Sequence, residues 1–171
     1  MTSLNQALVT GIQNHFTTIN QLNAEGLDGK RSAKAVDALH QPMCDWLNKE
    51  TEKDWNLEYK ISDYFGGTHK ADIGHDKTTF EFKCFKSSYA KNHKNYLRMA
   101  LAELQGQTLD EFNCSSIIIY KKGMMSPYQL SGWEKLGETY NVLNIEYDDD
   151  YNLSYPLQTL DSFIKTSDIY A

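Results

Sequence analysis

The sequence predicts an α/β sandwich, with a mixed central sheet and flanking helices. Three observations carry that expectation. Apolar residues recur at helical spacing in two segments before residue 55. The period then shortens to two through residues 55–85. Ile117, Ile118 and Ile119 stand in succession, as in a central strand covered on both faces. Helical and strand segments that alternate in this way stack into layers around one core.

Each element follows in order. In residues 3–22, Leu4, Leu8, Ile12, Phe16 and Ile19 fall on one stripe and most other positions are Asn, Gln or Thr, so an amphipathic helix is expected. Residues 23–29, with two glycines, read as a loop. A second helix starts near Lys30, with Ala33, Val36, Leu39, Met43 and Leu47 on one face. Pro42 predicts a kink, or a break and restart. Trp55, Leu57, Tyr59 and Ile61 alternate as in a half-buried strand, and Gly66-Gly67 mark a turn. Residues 69–74 and 78–85 are strand-like and separated by His75-Asp76-Lys77, which predicts a hairpin. Residues 96–112 form a helix and residues 114–120 the central strand. Pro127 opens a helix to about Tyr140, residues 142–147 make a further strand, Asp148 to Asp150 a loop, and residues 157–164 a last short helix. The whole reads as one domain over residues 1–171, with an N-terminal helix 3–22, a core of about 30–120 and a C-terminal extension 127–171.

The totals narrow the function classes. Apolar residues make up 40% and charged residues 23% of the 171, which suits a soluble globular chain. A net charge of −6 argues against indiscriminate adhesion to nucleic acid or anionic lipid, while leaving room for a local basic groove. Cys44, Cys84 and Cys114 are odd in number and lack metal-ligand spacing, so buried free thiols in a reducing compartment are expected. Residues 1–20 lack a charged segment followed by an apolar one, and no apolar run is long enough to span a bilayer. The expectation is a cytoplasmic protein with no membrane partner.

The hairpin carries the chemistry. Its second strand reads Thr78-Thr79-Phe80-Glu81-Phe82-Lys83-Cys84-Phe85. Alternation puts Glu81 and Lys83 on one face, roughly 6 to 7 Å apart, and Phe80 and Phe82 on the other. If Asp76-Lys77 alone forms the loop, His75 pairs with Thr78 and Asp72 lies opposite Glu81, with β-carbons about 4.5 to 5.5 Å apart. A one-residue slip would turn Asp72 to the other face and leave Asp63 or Asp76 as the second acid. Two opposed carboxylates call for a hard cation such as Mg²⁺, with Mn²⁺ as a substitute, and the Phe82 backbone carbonyl could add a ligand. Such an ion would polarise a phosphodiester and activate water, and Lys83 could orient that water or stabilise the phosphorus centre. The competing reading is a solvated sheet face on which Asp72 is an ordinary cross-strand partner.

Asp72, eight intervening residues and Glu81-Phe82-Lys83 resemble the core signature of the PD-(D/E)XK nuclease superfamily. The resemblance implies a restriction-endonuclease-like three-layer sandwich, whose core runs helix, three-strand meander, helix and strand. It implies that Asp72 and Glu81 ligate metal and that Lys83 assists the nucleophile. The activity implied is a Mg²⁺-dependent deoxyribonuclease, restriction-type, acting on DNA as a homodimer that matches the two-fold symmetry of a duplex. Ala71 stands where many relatives have Pro. Relatives also place an acid on the first core helix, where Asp37 fits and Glu50 and Glu52 are rivals, and some place a Gln on the next helix, where Gln105 or Gln107 could match.

Residues 82–102 contain no acid but hold Lys86, Lys91, Lys94 and Arg98, interleaved with Tyr89, His93 and Tyr96. That asymmetry reads as a phosphate-contacting surface, to which Lys121-Lys122 could add, or as a solvated charged loop. His69 and His75 read as turn or surface histidines. Of the late aromatics, Tyr128, Trp133, Tyr140, Tyr147, Tyr151 and Tyr155, most are expected in the core and some on a dimer surface. Two rival functions are carried beside the nuclease: a catalytically inactive nucleic-acid- or partner-binding module of the same fold, and an acidic inhibitor of a nucleic-acid-binding protein.

Overall fold

The computed structural model describes residues 3–26, 33–62, 68–84, 102–107, 111–139 and 141–154. Helix α1 spans Leu4–Ala24. Ser3 starts it, its hydroxyl accepting the Gln6 N–H at 3.1 Å, which satisfies one of the first-turn donors. The predicted stripe is buried through Leu4, Leu8, Ile12 and Ile19. Helix α2, Ala33–Thr51, packs along α1. The two backbones meet at Gly11, where a β-carbon would collide with the Leu39 carbonyl oxygen. Helix α2 continues through Pro42 as one element, so of the two alternatives the sequence left open the break and restart does not occur. The reason lies in packing: Leu39, Met43 and Leu47, on both sides of Pro42, are all buried in the same core, which offsets the lost backbone bond. The buried face is set by Ala35, Leu39, Met43 and Leu47 and also takes in His40 and Cys44; Ala33 is exposed.

Five strands follow: β1 Asn56–Ser62, β2 Thr68–His75, β3 Thr78–Cys84, β4 Asn113–Lys121 and β5 Val142–Tyr147. Their order in the sheet is β1-β2-β3-β4-β5. The first three pair antiparallel as a meander, and β3–β4 and β4–β5 pair parallel, so the sheet is mixed. A parallel pair needs a crossover connection. The helical residues 102–107, here α3, lie between β3 and β4, and α4, Pro127–Thr139, lies between β4 and β5.

The central strand is covered on both faces as expected, with Cys114 to Tyr120 all buried. Its residues divide by parity. Ile117 and Ile119 join Phe80, Phe82, Ile73 and the buried residues of α1 and α2. Ile118 and Tyr120 join Met125 and Leu130, the latter on α4. The three cysteines are buried and none is in a disulfide. Of the late aromatics, Tyr147 is in the core beside Phe16 and Tyr151, and Tyr128 is 86% exposed on the first turn of α4. The Trp133 side chain, Tyr140, Tyr155 and the expected helix 157–164 lie outside the described residues. Among those described, no helix is long and apolar enough to cross a membrane.

Candidate functional site

The β2–β3 hairpin fixes the register of the site. His75 pairs with Thr78, Gly74 with Thr79 and Ile73 with Phe80, which leaves Asp76-Lys77 as the two-residue turn. Asp-Lys is not a preferred sequence for such a turn. Asp76 adopts φ 49°, a left-handed conformation that Asp tolerates better than most residues. Tyr59 clamps the turn by donating its hydroxyl to the Asp76 carbonyl at 3.1 Å. Its ring fills the space that a side chain at Gly74 would need. Tertiary contact thus supplies what the local sequence lacks.

The paired ladder ends at Ile73 and Phe80, and Asp72 and Glu81 are the next residues beyond it on each strand. Here a side chain takes over from the backbone ladder, because Asp72 Oδ2 accepts the Phe82 N–H at 2.8 Å. The rings of Phe80 and Phe82 point into the α1–α2 core, and Thr79, Glu81 and Lys83 lie on the opposite face.

Glu81 is 3% exposed. Its Oε1 accepts a hydrogen bond from Gln107 Nε2 at 2.6 Å and lies 3.2 Å from His69 Nε2. Gln107 in turn accepts from the Thr79 hydroxyl. Burial pushes the Glu81 pKa up to about 7, with the charges of Asp72 and Glu103 adding to the rise while His69 and Lys83 oppose it. The hydrogen bond to Glu81 raises the pKa of His69 against a smaller effect of burial. Lys83 Nζ lies 2.8 Å from Glu103 Oε2. On α2, His40 Nε2 is 3.8 Å from Asp72 Oδ2, and its ring lies 4.8 Å from that of Phe82. Burial lowers the His40 pKa, against the pull of Asp72 and Asp37.

The structure therefore brings together Asp72, Glu81 and Lys83. Asp37 is half-buried one turn before His40 and acts on it electrostatically. Its rival Glu50 lies ten residues beyond His40, roughly 15 Å along the helix, and Glu52 lies past the helix end. Gln107, not Gln105, is the glutamine bound to Glu81. Lys86, Lys91, Lys94 and Arg98 lie outside the described residues. His75 sits at the hairpin end with Nδ1 3.0 Å from the Asp54 carbonyl. His69 corrects part of the sequence reading: it lies on a strand and not in a turn, and its half-buried ring is bonded to the central acid. His40 and Glu103 were missed. The signal for His40 was its place on the buried stripe of α2; Glu103 had only its four-residue spacing from Gln107.

Among the described residues no three or more His, Cys, Asp or Glu side chains form a ready-made cage for an ion. Magnesium asks for less, since it takes one or two carboxylates and completes its shell with water and substrate oxygens. Asp72 and Glu81 fit that demand. Each uses one oxygen in the bonds above, and Asp72 Oδ1 and Glu81 Oε2 accept no hydrogen bond among the described residues. The mutual repulsion of the two acids is the electrostatic condition that a cation relieves. Comparison of the chain with protein-family models, curated proteins and solved structures gives no match.

Proposed function

We propose that this α/β chain is a metal-dependent endonuclease of PD-(D/E)XK type that hydrolyses phosphodiester bonds in DNA on a restriction-endonuclease-like fold. One observation carries the reading: the Asp72 carboxylate is bonded to the Phe82 N–H, between Glu81 and Lys83 on β3, and its charge is felt at Glu81. Mg²⁺, or Mn²⁺ in its place, would supply Lewis acidity toward a phosphate oxygen and a lowered pKa for attacking water.

The chain's own groups divide the remaining work. Asp72 and Glu81 would hold the cation, with the Phe82 carbonyl as a further oxygen. The Phe82 N–H fixes the Asp72 carboxylate, and Gln107 and His69 fix that of Glu81. Lys83 brings a positive charge to the face where negative charge grows on the phosphate. Glu81 must give up its proton to serve. A pKa near 7 means that the cation and Lys83 together complete an ionisation that burial alone resists.

The test is cleavage of supercoiled plasmid and of single-stranded DNA with Mg²⁺, Mn²⁺ or EDTA, by the wild type and Glu81→Ala. Ion-dependent cleavage is expected, reduced at least about a hundredfold in the variant. Equal activity in both proteins, activity that survives EDTA, or an inert wild type would end the proposal.

A further inference from the structure

Helix α3 meets β3 through two matched contacts. Glu103 and Gln107 are four residues apart, about 6 Å of helical rise on one face. Glu81 and Lys83 are two residues apart, about 6.6 Å along a strand. The spacings agree, and the contacts pair off: Gln107 with Glu81 and Glu103 with Lys83. Leu104, 2% exposed, anchors the helix between them.

We infer that Glu103 is a positioning residue for Lys83, holding the tip of its side chain where the strand alone fixes only the base. The inference rests on the hydrolytic reading of this site. A lysine stem has four rotatable bonds and loses much rotamer freedom when its tip is held. The sheet determines where Lys83 leaves the backbone, but nothing in β3 determines where the ammonium ends. Glu103 does so by charge, as an ion pair at 2.8 Å without hydrogen-bond geometry, in which the two side chains are only 16% and 24% exposed. The ammonium fixed in this way stays within the field of the site, because its charge is felt at both Glu81 and His40. Glu103 itself acts on Glu81 and on His69. An ordinary helix-docking salt bridge would stabilise the fold and do no more; a positioning contact acts on the rate, and only through Lys83.

Single-turnover plasmid cleavage in Mg²⁺ separates the two, using the wild type, Glu103→Gln, Glu103→Asp, Lys83→Ala and the double variant Lys83→Ala/Glu103→Gln. Thermal melting is recorded for each. Glu103→Gln should slow cleavage about tenfold with KM within about twofold, and Glu103→Asp should recover most of the loss. In the Lys83→Ala background the Gln substitution should cost nothing further. The inference falls if Glu103→Gln cleaves at the wild-type rate, if it slows Lys83→Ala by the same factor, or if the rate follows the folded fraction. If the wild type cleaves and Glu81→Ala does not, a null result at Glu103 removes this inference alone. A wild type without activity removes the hydrolytic reading and this inference with it.

Discussion

The two faces of β3 are built on different physics. On one, Phe80 and Phe82 pack with Ile73, Ile117 and the buried residues of α1 and α2, where contact is non-directional and every buried atom stabilises. On the other, Thr79, Glu81 and Lys83 meet Gln107, His69 and Glu103, where each group depends on particular polar partners. The difference teaches that this strand separates holding from doing. The aromatic face fixes the backbone, and the polar face spends part of the resulting stability on a buried acid. Removing a buried ring and neutralising the buried acid should therefore have opposite signs.

The largest expected effect is on the aromatic face. Phe80 is fully buried at the centre of the larger cluster and touches the Trp55 ring at a centroid distance of 5.6 Å. Phe80→Ala should cost about 3 to 5 kcal/mol, through lost transfer energy and the cavity left behind. Urea unfolding of wild type and variant measures it. A loss below about 1 kcal/mol would mean that the core does not back the site.

On the polar face the sign reverses. The Glu81 pKa is raised from 4.5 to about 7, so the folded chain binds a proton between those values that the unfolded chain has released. Its contribution to stability is present below about pH 4.5 and is lost as pH rises through about 7. His69, also raised, adds to the same slope, while His40, lowered by burial, opposes it on the acid side. Glu81→Gln removes the Glu81 part. Relative to wild type, the variant should therefore gain about 2 to 3 kcal/mol on going from pH 4.5 to pH 8.5, while losing cleavage. Stability measured against pH for both proteins decides this, and parallel curves would mean that Glu81 is not held in a costly environment.

The same contrast explains what the sequence revealed. Strand alternation, the His75–Thr78 register and the central strand were legible because period two and a β-branched run reflect burial directly, and the shared face of Glu81 and Lys83 follows from that alternation. Pro42 does not break the helix, because tertiary packing on both sides of it outweighs one missing backbone bond. His69 misled because its role comes from a partner on β3, twelve residues away in sequence. His40 and Glu103 could not be read for the same reason: each contacts the hairpin from a separate helix. Local patterns report which face a residue occupies, but not which polar group it meets there.

The smallest effect tests whether the polar face acts as a chain of partners. Thr79 is fully buried and donates its hydroxyl to Gln107, which donates to Glu81; the Cys114 thiol also faces that hydroxyl. Thr79→Val keeps the volume and removes the donor, leaving the Gln107 carbonyl oxygen buried and unpaired, at a cost of about 1 to 2 kcal/mol. Replacing both partners, as in Thr79→Val/Gln107→Leu, should recover much of that loss, because no orphaned group remains to be desolvated. Cleavage should not recover with it, since Glu81 has then lost a donor that fixes its carboxylate. A double variant that regained stability and full cleavage together would show that Gln107 fills space beside Glu81 without orienting it.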